Sequence, residues 1–285
     1  MRRILYCVLL LLLPLSAYGE SLEVDLLYSE RHRPHVELVK LLSQAVRAED
    51  IRLFPALENG NLREEEKQLA VIRRRQPDLL ILVGEDALQA ALAMHLQLPM
   101  LSLLSISLSP QMQQQLPITG IDLRPEPAQV ADALSRLLPA GATILTYYAP
   151  QASGDYIAAA KAPFRQQHLQ LKADLWPQGD VPTALNRAMK QADAYWMQME
   201  MRSVAPQTLK LLFALARHGK ALVGLSAKYV RAGALIAWTP RWDALGEQAA
   251  TLANRLLAGA KPASVAITHP ANMRVDIRTH HGGDE

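Results

Sequence analysis

The stretch Asp78-Leu79-Leu80-Ile81-Leu82-Val83-Gly84 constrains this chain more than any other. Its successive aliphatic residues leave no polar face, so a strand made from them must be covered on both sides. That is the signature of a parallel strand inside a sheet sandwiched by helices. The flanking segments agree. Val24–Ser29 reads as a strand, 34–48 as a helix with Pro at its first turn, Ile51–Pro55 as a strand and Leu62–Arg75 as a helix with Leu69 and Ile72 spaced for burial. Ala87–Leu96 reads as a helix and Pro99–Ser105 as a strand. Repeated βα units of this kind form a parallel sheet with helices on both faces.

The pattern then restarts. Residues 143–149, 169–176, 194–199 and 221–226 read as strands, and 156–168, 182–191 and 206–218 as the helices between them. A stretch punctuated by Pro110, Pro117 and Gly120, with little helical periodicity, separates the two series; a helix over 132–138 follows it. A last strand over 234–240 precedes a helix over 242–258 closed by Gly259. Residues 264–277 read as extended and 280–285 as a frayed tail. The fold class expected is α/β: two tandem lobes with parallel sheets, arranged as a clamp. Ligands of open parallel sheets bind beyond the carboxyl ends of strands. The informative residues therefore lie at the strand exits.

The N-terminus reads as a targeting segment. Arg2 and Arg3 precede an apolar run from Ile4 to Leu13, Pro14 breaks it, and Ala17-Tyr18-Gly19 supplies a cleavage site after residue 19. Ten apolar residues are too few to span a bilayer, which needs about 20. Cys7 lies inside the run, not after it, which argues against a lipid anchor. Cleavage would remove the single cysteine and leave 28 basic against 27 acidic residues. A near-neutral, thiol-free chain suits an oxidising compartment, and it lacks the clustered basic excess of nucleic-acid binders. Arg73-Arg74-Arg75 follows Glu64-Glu65-Glu66 at helical spacing and reads as a solvated helix face. The expectation is a periplasmic, monomeric protein without contact to nucleic acid.

Catalytic signatures are lacking: there is no G-x-S-x-G, no P-loop and no H-E-x-x-H. His32/His35 and His280/His281 are close pairs, but Arg31 and Arg33 would repel a cation from the first and the second lies in the tail. No metal, cofactor or catalytic residue is expected, and an enzyme is the least favoured reading. Aromatic and polar side chains at the strand exits instead suit a ligand cleft. The candidate ligand-binding residues are Tyr28, Ser29, Glu30, Glu85, Ser109, Tyr148, Ser153, Arg202, Ser226 and Trp242. For Glu85 the alternative is a helix-start acid complementing the dipole; for the aromatic residues it is core packing, strongest for Tyr147, Tyr195 and Trp196.

The C-terminal third carries a resemblance. Lys228-Tyr229-Val230-Arg231-Ala232-Gly233-Ala234-Leu235, then Leu245-Gly246-Glu247-Gln248-Ala249-Ala250 and Leu257-Ala258-Gly259-Ala260-Lys261-Pro262-Ala263, resemble the signature of ABC-transporter substrate-binding proteins of the tryptophan and tyrosine type. Pro117-Ile118-Thr119-Gly120-Ile121 is similar to a crossing segment of that family. The resemblance implies a type I periplasmic-binding-protein fold, two Rossmann-like lobes joined by crossover hinges. It places residues 20–118 and 241–263 in the first lobe, and residues 119–240 and 264–285 in the second. It further implies a small-molecule solute, an amino acid or other small aromatic compound, delivered to the membrane permease of an ABC importer. Several pocket positions depart from the family pattern: Tyr148-Ala149-Pro150 lacks the usual Asn, Ser109 stands where Asp precedes Pro, and Gln198 to Ser203 replace a Pro-rich exit. Arg278 and a polar tail replace a final Asn and helix. These departures leave open a second role for the same fold, as a periplasmic partner of a sensor or receptor with a degenerate pocket.

Overall fold

A computed structural model describes residues 21–29, 33–56 and 62–278. The expected targeting segment, Glu30 and the tail beyond residue 278 lie outside the described residues. The first series comprises β1 (Glu23–Ser29), α1 (Arg33–Ala45), β2 (Asp50–Ala56), α2 (Leu62–Arg75), β3 (Leu79–Val83), α3 (Glu85–Ala93), β4 (Met100–Ser105), α4 (Pro110–Gln115) and β5 (Ile118–Asp122). It forms a five-stranded parallel sheet in the order β2-β1-β3-β4-β5. The second begins with α5 (Pro127–Leu137), β6 (Thr143–Tyr148), α6 (Pro150–Gln166), β7 (Gln170–Leu175), α7 (Val181–Ala188) and β8 (Ala194–Trp196). It continues with α8 (Pro206–Arg217), β9 (Ala221–Gly224), α9 (Ala227–Arg231), β10 (Ile236–Pro240), α10 (Trp242–Leu257) and β11 (Met273–Ile277). Its sheet runs β11-β10-β9-β8-β6-β7, parallel except for β11, which returns antiparallel to β10.

The aliphatic run reads out as the sequence requires. Every residue of β3 is buried, with Leu79, Ile81 and Val83 packed among α1 and α10 residues and Leu80 and Leu82 against α2 and α3. The second sheet divides likewise: Ile144, Trp196, Val223 and Trp238 pack on one face, Leu145, Tyr147, Tyr195 and Leu222 on the other. At full burial each such side chain contributes roughly 1.5–3 kcal/mol. α10 follows the last parallel strand of the second sheet yet packs in the first lobe, where Leu245, Ala249 and Ala253 join the α1 core. Gly246 makes the fit possible, since a Cβ there would come within 2.9 Å of the Leu41 side chain.

Several sequence expectations change. The segment expected to be a featureless crossing contains α4 and β5, because Ser109 caps a short helix by accepting from the Met112 N–H and Ile118 to Ile121 pair with β4. β5 thus extends the first sheet to Asp122, past the boundary at residue 118, and the first crossing follows it. The second crossing lies between β10 and α10. The third lies near residues 268–272, where Thr268 bridges to Ile121 before β11 joins the second sheet. α6 begins at Pro150, not at residue 156. α9, unforeseen in the sequence, occupies Ala227–Arg231. Arg75 is not part of a solvated face: its guanidinium is 8% exposed and lies 2.8 Å from Glu23, 2.8 Å from Asp50 and 3.4 Å from the fully buried Asp25.

Two predictions follow from this packing. A Cβ on Gly120 would lie 2.1 Å from the Ser102 carbonyl oxygen across the β4–β5 pair, so Gly120→Ala must separate the two strands. The expected loss is about 1–3 kcal/mol, read as a lower urea midpoint with unchanged slope. Burial pushes the Asp25 carboxyl up to about 6, against the opposing pull of Arg75 and Arg52. A carboxyl raised in the folded state favours folding most below its unfolded value, near 3.9, and loses that contribution as pH rises through about 6. Asp25→Asn therefore raises the melting temperature relative to the parent above pH 6, by at most about 3 kcal/mol equivalent. The advantage shrinks as pH falls towards 4, as a melting series from pH 4 to 8 will show.

Candidate functional site

The carboxyl ends of both sheets open onto one interlobe cavity of about 970 Å³. From the first lobe come Leu104 and Ile106 at the end of β4, Leu123 after β5, and Glu85 and Asp86 at the start of α3. From the second come Tyr148, Pro150, Trp176, Met199 to Arg202 and Leu225, at the exits of β6, β7, β8 and β9. Met201 stands 83% exposed and Leu175 56% exposed in this lining.

Leu104 is set by a strained backbone. The β4–β5 register shifts between Leu103 and Ser105, and Leu104 adopts φ 59°, a left-handed conformation that costs an L-residue about 1–2 kcal/mol. Bulges of this kind re-aim side chains at the rims of sheets. Here the bulge places a leucine in the cavity wall. The buried hydroxyls of Ser102 and Ser105, 2.7 Å apart, tie together the residues on either side.

Two acidic groups of the cavity, Glu200 and Glu85, are anchored to the protein itself. The Glu200 carboxylate accepts from the Ala149 N–H at 3.0 and 3.1 Å, from the Ser153 hydroxyl at 2.6 Å and from the Trp176 indole N–H at 2.5 Å. It thereby occupies the positive end of α6. Glu85 accepts from the Ile106 N–H at 3.1 Å, from the Ser107 hydroxyl and from Gln89 at 2.9 Å. Behind Glu200, Ser153 also receives the Arg124 guanidinium at 3.1 Å. Arg124 is buried. It grips Asp122 at 2.5 and 2.9 Å, donates to the Ile106 carbonyl at 2.9 Å and lies 4.1 Å over the Tyr156 ring. Its carbonyl meets His269 Nδ1 at 3.0 Å. Burial holds the Tyr156 phenol far above its ordinary value, and its hydroxyl donates to the Pro125 carbonyl at 2.7 Å.

Of the residues singled out in the sequence, Glu85, Tyr148 and Arg202 line the cavity. Ser153, in the first turns of α6, is 1% exposed and supports Glu200 from behind. Ser109 caps α4 and lines a separate recess of about 150 Å³ with Arg124, Tyr156 and His269. Tyr28 packs in the first core, and Trp242, the first residue of α10, packs against the same core. Ser226 precedes α9 and lies outside the cavity lining. Ser29 ends β1, its side chain outside the described residues, as is Glu30. Sequence reasoning passed over Glu200 and Trp176, and it also missed the aliphatic lining of Leu104, Ile106, Leu123 and Leu225. Glu200 sits in the departing exit Gln198 to Ser203, and that departure was the signal available. Among the described residues no group of three or more His, Cys, Asp or Glu is placed to hold a metal ion. No helix among them is long and apolar enough to cross a membrane.

The Arg124–Asp122 pair is tested by removal. Arg124→Met leaves Asp122 buried without its partner and is expected to cost about 3–5 kcal/mol. Adding Asp122→Leu should restore much of that loss, as equilibrium unfolding of the single and double variants will show.

Comparison with known proteins agrees with this geometry. No curated protein matches the chain. Among solved structures it is similar to an ABC domain in complex with L-Trp from Streptococcus pneumonia, at TM-score 0.62 and 15% identity over 90% of this chain and 92% of that one. It is also similar to the ligand-free, open structure of a substrate binding protein with adhesive properties from Clostridium difficile, at TM-score 0.64 and 12% identity over 90% and 91%. A glucose-galactose binding protein from Geobacillus stearothermophilus superposes at TM-score 0.61 and 11% identity over 92% and 99%. At such identities the likeness establishes the fold, that of type I periplasmic binding proteins. The family profile of the ABC transporter substrate binding protein matches residues 25–277, and the chain therefore belongs to that family.

Proposed function

We propose that this protein is the exported solute-binding component of an ABC importer, that its cleft closes over a small organic solute with a large apolar or aromatic part, and that it delivers the solute to a membrane permease. The observation carrying this reading is the 970 Å³ cavity whose walls come from the strand exits of both lobes and are mostly aliphatic and aromatic. Such a cavity is larger and more apolar than a structural packing defect, and two of its few polar groups, Glu85 and Glu200, are held by hydrogen bonds, as in sites that orient one ligand. The three crossings act as the hinge, with Arg124 at the first. A solute touching Leu104 and Leu123 on one side and Tyr148, Trp176 and Leu225 on the other gains contacts only when the lobes are together, so it stabilises the closed state. Residues 1–19 act as the cleavable signal that carries the chain to the periplasm, where it works as a monomer. The exposed Met201 and Leu175 at the cleft rim become covered on closure.

Thermal unfolding of the purified protein against aromatic, aliphatic, sugar and nucleoside solutes tests the reading. A true ligand at a hundred times its Kd adds about 2.7 kcal/mol, a rise of several degrees for a chain of this size. The same ligand should quench or shift tryptophan emission, and Trp176→Phe should abolish most of that optical change. A well-folded protein with no thermal response to any class would overturn the proposal.

A further inference from the structure

We infer that the cleft is built for an apolar or aromatic molecule that carries a positive charge and no free carboxylate. This rests on the solute-binding reading above and narrows it to a chemical class.

Two helices, α3 and α6, begin in the cavity wall. A helix N-terminus facing a cleft is ordinarily a ready-made seat for a ligand anion, because its free N–H groups and its dipole both favour negative charge. Here the α6 seat is taken by the chain itself, and the α3 end carries two acidic side chains of its own. Glu200 holds the α6 end through the Ala149 N–H and the Ser153 hydroxyl. Glu85 and Asp86 form the first turn of α3, with Glu85 pinned to the Ile106 N–H and to Ser107. An incoming carboxylate thus finds the α6 end closed and the α3 end flanked by two acidic side chains.

The remaining charge points the same way. Among the described residues lining the cleft, Glu85, Asp86 and Glu200 are acidic and Arg202 alone is basic. Arg202 is exposed, and its guanidinium reaches only the Pro177 carbonyl, at 3.5 Å. Glu85 and Glu200, partly buried, sit among Leu104, Ile106, Trp176 and Met199, where reduced solvation strengthens charge–charge interactions relative to water, and Asp86 is exposed beside them. A ligand cation is attracted there, a carboxylate is repelled, and a zwitterion gains at one end what it loses at the other. The Trp176 and Tyr148 rings add faces that favour a cation or an aromatic group.

The test uses matched sets on two scaffolds: tryptamine, tryptophan, indole-3-acetate and indole, with phenethylamine, phenylalanine and phenylacetate. Each is titrated calorimetrically into the purified protein at low and high salt. The amines should bind at least about tenfold more tightly than the amino acids, and more weakly at high salt, while the acids give no saturable binding. Asp86→Asn, at an exposed position, should weaken amine binding about three- to tenfold and indole binding much less, so that the preference for the amine over indole falls. If an acid, an amino acid or neutral indole binds as tightly as its amine, the charge inference falls and the solute-binding reading stands. If none of the seven binds, the charge inference falls, while the solute-binding reading falls only if the aliphatic, sugar and nucleoside solutes also give no thermal response.

Discussion

The arrangement depends on one buried guanidinium. Arg124 leaves the first crossing and is enclosed on every side by groups that the two lobes supply: Asp122 and the Ile106 carbonyl from the first, Ser153, the Ala152 carbonyl and the Tyr156 ring from the second. A buried charge is tolerated only when paired and hydrogen-bonded, and here the pairing spans the junction. The guanidinium therefore fixes the first crossing, the start of α6 and the exit of β4 relative to one another. Its own carbonyl binds His269, so the third crossing is held at the same point.

From that anchor a chain of hydrogen bonds reaches the cleft. Arg124 holds Ser153, Ser153 donates to Glu200, and Glu200 accepts from the Trp176 indole in the cavity wall. An acid this well satisfied is a fixed part of the wall, unable to rotate towards a ligand without giving up several charge-assisted bonds. On the facing lobe, Glu85 is fixed in the same manner and Leu104 is turned into the cavity by a bulge. The cleft thus has preset charge and a preset apolar lining. Glu200, Glu85 and Leu104 have little conformational freedom left to lose when a solute enters, which favours binding.

Much of the fold was legible in the sequence because burial has a period. β3 could only be a doubly covered strand, and α2 is bounded by the same residues, Leu62 and Arg75, in the sequence reading and the structure. Legibility failed where local sequence and tertiary environment disagree. Pro150-Gln151-Ala152-Ser153-Gly154 reads as a loop, yet it forms the opening turns of α6, since Glu200, distant in sequence, satisfies the Ala149 N–H there. β5 is short and carries Gly120, which reads as a breaker until Ser102 is seen to approach it too closely for any Cβ.

The candidate site divides along the same line. Strand order and the rule that ligands sit beyond strand carboxyl ends were enough to direct attention to the exits, and of the residues chosen there Glu85, Tyr148 and Arg202 line the interlobe cavity. Which exit residues face the cleft was beyond the sequence. Tyr28 alternates into the core, Ser153 turns inward beneath Glu200, and Leu104 escapes its expected face because the backbone slips register. The sequence by itself determined the doubly wound parallel sheets, the helical layers and the family, since these follow from hydrophobic period and local signature. Only the tertiary structure decided the charge and lining of the cleft, because Glu200 is held by second-lobe segments distant in sequence, Leu104 is set by the β4–β5 register, and Arg124 takes partners from both lobes.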